Sequence, residues 1–251
     1  MIPMTSNVEF SRRGFRPMQL KSSGKPETPR QSEDFGAAGV GSQQVRNLKL
    51  GESLFLQGDT VRWIWMLREG WAFRYQTLED GRRQIVDFVL PGDILGIGAS
   101  GPMSYGVEAL TPCTWTTMSR EGFVAKLMQE PALSVKLVDM LSAGQVRAFE
   151  QMTSVGRRTA RERVARLLID LARRARMSAS GAARFEVTMP LMLSHIGDAL
   201  GLATETVCRC LGELKRAGIL VFSAGRLEIR DLDGLSELAG ATVEDSDRLP
   251  A

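Results

Sequence analysis

The pattern of apolar positions between residues 45 and 123 predicts short β-strands. In one of them apolar side chains recur at every second position, which is typical of a strand with one buried face: Val61, Trp63, Trp65 and Leu67. Asp80-Gly81 separates two further apolar segments and predicts a tight hairpin. Other turns are marked by glycines: Gly51, Gly58, Gly70, Gly92 and Gly96. We therefore expect a small β-sandwich or β-roll over residues 45–130.

After residue 131 the apolar period changes to that of a helix, and Pro131 suits its first turn. Six residues that are alternately three and four positions apart form a heptad seam: Val138, Leu141, Gln145, Ala148, Met152 and Val155. A seam of this length could pack on the β-domain, but a long helix between two domains is also well placed to pair with its copy. We expect residues 131–156 to form a dimerisation helix, with Phe149 beside the seam.

A second helix is predicted to start at Thr159, because Thr159 and Glu162 have the spacing of a capping box. Gly156 precedes it and allows a break or hinge between the two helices. The second helix has one apolar face: Val164, Leu167, Leu168, Leu171 and Ala175.

Residues 193–220 have the pattern of a helix-turn-helix. Ile196 and Leu200 share one face of a short helix, and Gly201 allows a sharp turn. Thr204 is a suitable N-cap for the next helix, whose buried stripe is formed by three apolar residues: Val207, Leu211 and Leu214. At about 100° per residue the opposite face carries a second set: Glu205, Cys208, Arg209, Gly212 and Arg216. Such a helix offers its N-terminal half to the major groove of DNA.

The segment after this helix, which ends at Gly218, predicts a two-stranded wing over residues 220–222 and 226–229. A helical hairpin on a globular core is the alternative, but the combined signals favour a winged helix-turn-helix over residues 157–239. Residues 157–230 contain fourteen Lys and Arg against seven Asp and Glu, although the whole chain has a formal net charge of only +3. A basic domain suggests an anionic partner, and we expect nucleic acid rather than a membrane surface.

Composition narrows the class of protein further. Cys113, Cys208 and Cys210 cannot all pair within one chain, which favours a reducing, cytoplasmic location over a disulfide framework. The chain has no run of about 18 apolar residues that would predict a transmembrane helix, and residues 1–10 lack a signal-peptide pattern. Residues 1–44 are rich in Gly, Ser, Pro, Gln and Arg, so we expect a disordered tail there and a second tail over residues 240–251.

From about residue 48 to residue 239 the chain resembles the CRP/FNR superfamily of regulators. The motifs that carry the resemblance are residues 51–59, 80–88, 90–93, 108–111, 159–163, 198–202 and 205–209. The last of them, Glu-Thr-Val-Cys-Arg, is similar to the Glu-x-x-Ser-Arg usual in the FNR/FixK branch, with Cys208 in place of serine. The resemblance implies an α+β fold with an N-terminal cyclic-nucleotide-binding-like β-roll, a long dimerisation helix and a C-terminal winged helix-turn-helix.

The resemblance also implies a function, namely a transcription regulator that binds a palindromic, TTGA-like DNA site as a homodimer and contacts RNA polymerase. We expect Glu205 and Arg209 to read bases, because Arg can bond guanine O6 and N7 and Glu can accept from cytosine N4. Thr204, Cys208 and Arg216 are expected at the DNA as well.

Cyclic-nucleotide binders of this superfamily need a Gly-Glu pair for the ribose and an Arg for the phosphate, since a buried phosphate without a cation is very costly. Residues 90–111 contain Gly92-Asp93 and no Arg, so we expect no cyclic nucleotide, and Asp93 and Glu108 are then turn and surface residues. An iron–sulfur sensor needs about four cysteines. Cys113 stands alone in this half and is expected to be a buried thiol.

No cofactor, metal site or catalytic residue is predicted. The single histidine, His195, argues against Ser-His, Cys-His and zinc–histidine chemistry, and we expect it to contact backbone or phosphate. Met192 stands where a helix cap is usual and leaves that cap unassigned. We expect a regulator and not an enzyme. Two alternatives stay open, a regulator of the same fold that responds to nitric oxide or another small molecule, and a ligand-binding module without DNA function.

Cys208 is a candidate redox residue. We expect it to face DNA beside Arg209 in about the first turn of its helix, where the dipole favours a thiolate. Oxidation to sulfinic or sulfonic acid would set a negative charge against the phosphates and oppose binding. The alternative is that Cys208 is simply a small residue in the place of serine.

Overall fold

The computed structural model describes residues 43–98, 101–178 and 186–240. Its N-terminal part consists of two four-stranded antiparallel sheets, with strand orders β1-β8-β3-β6 and β2-β7-β4-β5. The strands are β1 (Gln44–Leu48), β2 (Ser53–Phe55), β3 (Trp63–Glu69), β4 (Ala72–Thr77), β5 (Arg83–Val89), β6 (Ile94–Leu95), β7 (Gly106–Ala109) and β8 (Cys113–Ser119). Strand β1 includes Gln44, which we had expected in the N-terminal tail. Residues 1–42 of that tail and 241–251 of the other lie outside the described residues.

The two sheets face each other across a core of aromatic and aliphatic side chains. Phe55, Trp65 and Trp115 are among its largest fully buried members, and the rings of Phe55 and Trp65 lie 5.2 Å apart. The predicted hairpin is confirmed. It joins β4 to β5, with Gly81 at a φ of 82° and the Leu78 amide donating to the Arg82 carbonyl at 2.8 Å.

Three helices follow the β-roll: α1 (Arg120–Gln129), α2 (Pro131–Arg157) and α3 (Ala160–Ser178). Helix α1 was not predicted, and Ser119 caps it by accepting from the Gly122 amide at 3.0 Å. The capping box of α3 is confirmed, because the Thr159 amide donates to Glu162 at 2.8 Å and the Glu162 amide to Thr159 Oγ1 at 3.4 Å.

The break between α2 and α3 is not at Gly156, as we expected, but two residues later. Arg158 has extended backbone. Its guanidinium bonds Ser154 Oγ at 2.6 Å and Glu150 at 3.2 Å. These bonds hold the last turn of α2 in place beyond the glycine.

The C-terminal domain contains β9 (Glu186–Thr188), α4 (Leu193–Leu200), α5 (Thr204–Arg216), β10 (Leu220–Ser223), β11 (Arg226–Ile229) and α6 (Leu232–Leu238). The wing has three strands in the order β10-β11-β9 and not two. One buried cluster includes side chains of this domain, such as Ile196 and Leu214, together with Phe73 and Ile85 of the β-roll. The two domains therefore share apolar packing, which fixes where the helix-turn-helix lies.

Candidate nucleic-acid interface

Helix α5 buries one face and leaves the opposite face open. Val207, Leu211 and Leu214 are buried as predicted, and Cys210 lies with them at 4% exposure. The opposite face presents exposed side chains: Glu205, Cys208, Arg209 and Arg216, with Gly212 half-buried among them. A polar helix face that no described residue of its own domain covers has the shape to enter a major groove.

The predicted N-cap of α5 is wrong. Ala203 is the capping residue and supplies no side-chain bond, while its carbonyl accepts from the Thr206 and Val207 amides at 3.0 and 3.1 Å. Thr204 is therefore the first residue inside the helix, and its side chain is exposed beside Glu205. The turn before it is as predicted, because Gly201 is in the left-handed region with φ 63°.

Helix α4 is fixed at its start by the single histidine. The Met192 amide donates to His195 Nδ1 at 3.1 Å. His195 therefore contacts backbone, which is one of the two contacts predicted for it, the other being phosphate. The imidazole is 8% exposed and its ring lies 5.7 Å from that of Phe73 in the β-roll. Burial, and then the positive charge of Arg83, lower the pKa of His195.

The three cysteines differ in their surroundings. Cys208 is exposed on the outer face of α5, whereas Cys113 and Cys210 are buried. Cys113 is the buried thiol that was predicted, and burial raises its pKa. Burial, followed by the charge of Glu213, likewise raises the pKa of Cys210. Cys208 is the fifth residue of α5 and so lies in the second turn, slightly beyond the predicted position.

Helix α2 carries an exposed apolar stripe. The seam residues Val138, Leu141, Met152 and Val155 are 43–71% exposed, and Ala148 and Gln145 are exposed between them. Phe149 lies beside this seam at 58% exposure. The seam therefore does not pack on the β-domain of its own chain, which was the competing interpretation.

The segment that would hold a cyclic phosphate is occupied by carboxylate–arginine pairs. Arg83 Nη1 bonds Glu108 Oε2 at 2.7 Å, and Arg74, which lies over the Tyr105 ring, is paired with Asp87. Glu108 is thus a half-buried, paired residue of β7 and not the predicted surface residue. Asp93 closes a turn, as predicted, because its amide donates to the Leu90 carbonyl at 3.0 Å. Sequence reasoning missed that the two arginines approach this segment from β4 and β5.

The described residues contain neither a metal-binding cluster nor a membrane-spanning helix. No three His, Cys, Asp or Glu side chains within residues 43–98, 101–178 and 186–240 converge closely enough to hold a metal ion. No helix in the same ranges has the length and apolarity needed to span a bilayer.

Two family profiles match the chain. A cyclic nucleotide-binding domain matches residues 45–130, and a Crp-like helix-turn-helix domain matches residues 162–238. The nitrogen fixation regulation protein FixK of Bradyrhizobium diazoefficiens is 33% identical over 191 residues, which cover 76% of this chain and 80% of that protein. The transcriptional activator protein FnrL of Cereibacter sphaeroides is 33% identical over 207 residues, covering 80% and 82%.

A solved structure gives the same result. FixK2 from Bradyrhizobium japonicum superposes with a TM-score of 0.70 at 30% identity, and the match covers 80% of this chain and 99% of that one. These likenesses argue against one alternative that the sequence left open, namely a ligand-binding module without DNA function.

Proposed function

We propose that this chain, which belongs to the FNR/FixK branch of the CRP/FNR family of DNA-binding transcription regulators, binds a two-fold-symmetric DNA site as a homodimer. The TTGA-like sequence of each half-site follows from the family's motif at residues 205–209. The family's usual partner, RNA polymerase, and a cytoplasmic location are part of the same proposal. Within this proposal residues 44–130 are the sensing unit, α2 (Pro131–Arg157) is the pairing unit and residues 158–239 are the DNA-reading unit.

The observation that carries the proposal is the open face of α5. Arg209 and Glu205 lie one turn apart on it, both exposed, above a stripe that anchors the helix in the core. A guanidinium there can bond guanine bidentately, and a carboxylate can accept from cytosine, each pair being worth roughly 1–3 kcal/mol of discrimination. Thr204, Cys208 and Arg216 border the same surface.

Selection of bound DNA from a random pool tests the proposal. We expect the wild-type protein to enrich a palindrome with TTGA-like halves, and Arg209→Ala to relax the preference for guanine at one position of each half. A selected site with unchanged guanine preference in Arg209→Ala would show that Arg209 is not the reading residue. A pool with no symmetric sequence would contradict the homodimeric mode of binding.

The dimer is supported by α2. A palindrome needs two reading helices about 34 Å apart, one turn of DNA, and a 27-residue helix with an exposed apolar seam suits pairing about a two-fold axis. The members of the proposed interface are Val138, Leu141, Ala148, Met152 and Val155.

DNA binding is proposed to need no cyclic nucleotide. The two arginines near the phosphate segment, Arg83 and Arg74, are each already paired with a carboxylate. Releasing Arg83 for a phosphate would leave the partly buried Glu108 carboxylate without its cation, which costs several kcal/mol. Releasing Arg74 would remove one of the guanidiniums that surround Asp87.

Cys208 is proposed as an oxidation-sensitive position on the reading face. It is exposed, whereas the other two cysteines are buried, so a dissolved oxidant reaches it first. A sulfinate or sulfonate there would repel phosphates and crowd the groove.

A second candidate function, a regulator that responds to a small apolar molecule, is supported by a cavity of about 420 Å³. It lies between β3, β8 and helices α1 and α2, and its wall is mostly apolar: Ile64, Met66, Met118, Phe123, Leu137 and Met140. Native mass spectrometry of the purified protein tests this candidate, since a bound molecule adds a defined mass that denaturation removes.

A further inference from the structure

Arg174 of α3 is bonded to the β-roll through three acceptors. Its Nη1 bonds Asp87 Oδ1 at 3.2 Å, and its Nη2 bonds Asp93 Oδ2 at 2.9 Å and the Phe88 carbonyl at 2.7 Å. The Arg174 side chain is only 13% exposed, so these bonds are made largely away from water. Charge-assisted bonds in such surroundings are strong and directional.

Asp87 joins three parts of the molecule. Besides Arg174, it binds Arg74 of β4 and lies 4.0 Å from Arg147 of α2. Its burial acts to raise the pKa, but the guanidiniums of Arg174 and Arg74 outweigh that effect and hold the pKa of Asp87 below its ordinary value. We call this set of Asp87, Asp93, Arg74, Arg147 and Arg174 the interdomain junction.

A second contact between the same parts lies at the end of α4. The Ala199 carbonyl accepts from Gln84 Nε2 of β5 at 3.1 Å and from Gln151 Nε2 of α2 at 2.6 Å. Carbonyls in the last turn of a helix lack partners within the helix, so here the β-roll and α2 supply them. The helix-turn-helix is therefore held at two separate points.

We propose that Asp87 and Arg174 are positioning residues for DNA recognition, holding the DNA-reading domain at one angle to α2. The inference rests on the proposed dimer and palindrome. In the arrangement that the junction holds, the reading face of α5 is open. Because the two-fold axis of the proposed dimer lies between the two α2 helices, the angle between α2 and the reading domain sets the separation of the two reading helices. The junction thereby determines which half-site spacing is accepted.

Arg174→Met tests the inference, with Arg173→Met as the matched control. Arg173 is the neighbouring residue, lines the groove between α2 and α3, and loses the same charge when substituted. Binding is measured by fluorescence anisotropy on a full palindrome, on a single half-site, and on palindromes with two base pairs added to the spacer. Two base pairs rotate one half-site by roughly 70° about the DNA axis.

We expect wild type and Arg173→Met to bind the normal palindrome tightly and to reject the lengthened one. Arg174→Met should bind the normal palindrome about tenfold more weakly, a usual size for coupling between distant sites. It should also lose most of its discrimination against the longer spacer, while half-site binding stays unchanged. Asp93→Asn, which removes one negative charge of the junction and keeps the side-chain shape, should show the same changes in smaller degree.

Two results would overturn the inference. One is an Arg174→Met protein that rejects the longer spacer as wild type does. The other is an equal loss of half-site and full-site binding in Arg174→Met and Asp93→Asn. That result would mean that the junction only supports folding of the reading domain. A wild-type protein that prefers no symmetric site would instead refute the proposed function, independently of the junction.

Discussion

A glutamate placed in the apolar seam of α2 should dissociate the dimer. Seven large apolar side chains of α2 are 43–71% exposed: Val135, Val138, Leu141, Val146, Phe149, Met152 and Val155. Full burial of such a side chain stabilises by about 1.5–3 kcal/mol, so burial of the exposed part gives about 1 kcal/mol each, or about 14 kcal/mol for a symmetric pair of helices. Association itself costs about 4–15 kcal/mol. Burial of all seven side chains, that is, of the seam with its flanking residues Val135, Val146 and Phe149, would therefore support a dimer with a net free energy of at most about 10 kcal/mol.

Leu141→Glu and Met152→Glu each act twice, because two-fold symmetry brings the substitution to both helices. The apolar contribution falls by about 2 kcal/mol, and each carboxylate buried without a cation costs several kcal/mol more. The sum is comparable with the whole net free energy of association. We therefore expect both variants to be monomers at micromolar concentration and to bind the full palindrome with little more than half-site affinity.

Sedimentation velocity and gel shifts on full-site and half-site DNA measure the two effects. Lys136→Glu is the matched control, since residue 136 is exposed on another side of α2 and also gains a carboxylate. The control should stay dimeric. A Leu141→Glu monomer that still binds the full palindrome as tightly as wild type would refute the reasoning, and so would a Leu141→Glu dimer of undiminished strength.

Three further predictions concern ligand, oxidant and pH. Calorimetry with cyclic AMP should show no heat, and micromolar binding that enhances DNA affinity would contradict this. Peroxide should abolish the gel shift of wild type and of Cys113→Ser but not of Cys208→Ser; equal sensitivity of wild type and Cys208→Ser would exclude the redox role. Because the pKa of His195 is lowered by burial and by Arg83, the unfolded state binds the proton more readily, so this stabilisation is complete above about pH 6.5 and lost as pH falls. Urea unfolding at about pH 5.5 and 7.5 should show a smaller pH dependence for His195→Gln, which keeps an acceptor for the Met192 amide; an unchanged dependence would assign it to other groups.

Elements that depend on neighbours in the chain were predictable. The hairpin at Asp80-Gly81 and the capping box of Thr159 and Glu162 are each complete within a few residues, so their geometry follows from local sequence. The buried stripe of α5 could also be predicted, because its apolar residues recur at the three- and four-residue spacing of a helix that packs one face on a core.

The errors arose where distant contacts decide the outcome. Gly156 allows a break, but Arg158 continues α2 past it by bonding Glu150 and Ser154. Strand β9 has only three residues, of which Val187 alone is buried, and it is a strand because it pairs with β11 some forty residues later. Neither contact leaves a periodic signal in the segment concerned.

The interdomain junction was partly predictable, because the position of one member, Asp87, can be interpreted from the sequence of β5. Asp87 and Val89 share the face of β5 that points into the β-roll, where Val89 is 0% exposed. A bulge at Val86 places Ile85 opposite Tyr75, in the other buried cluster. A carboxylate at an inward-facing strand position must meet a cation, since burying it alone would cost far more than a strand can supply. The sequence thus indicates that Asp87 has a positive partner, but it cannot identify Arg174, which lies 87 residues away among several arginines of α3. Only the packing of α3 against the β-roll selects it, and that selection makes the position of the DNA-reading domain depend on a residue far from the DNA.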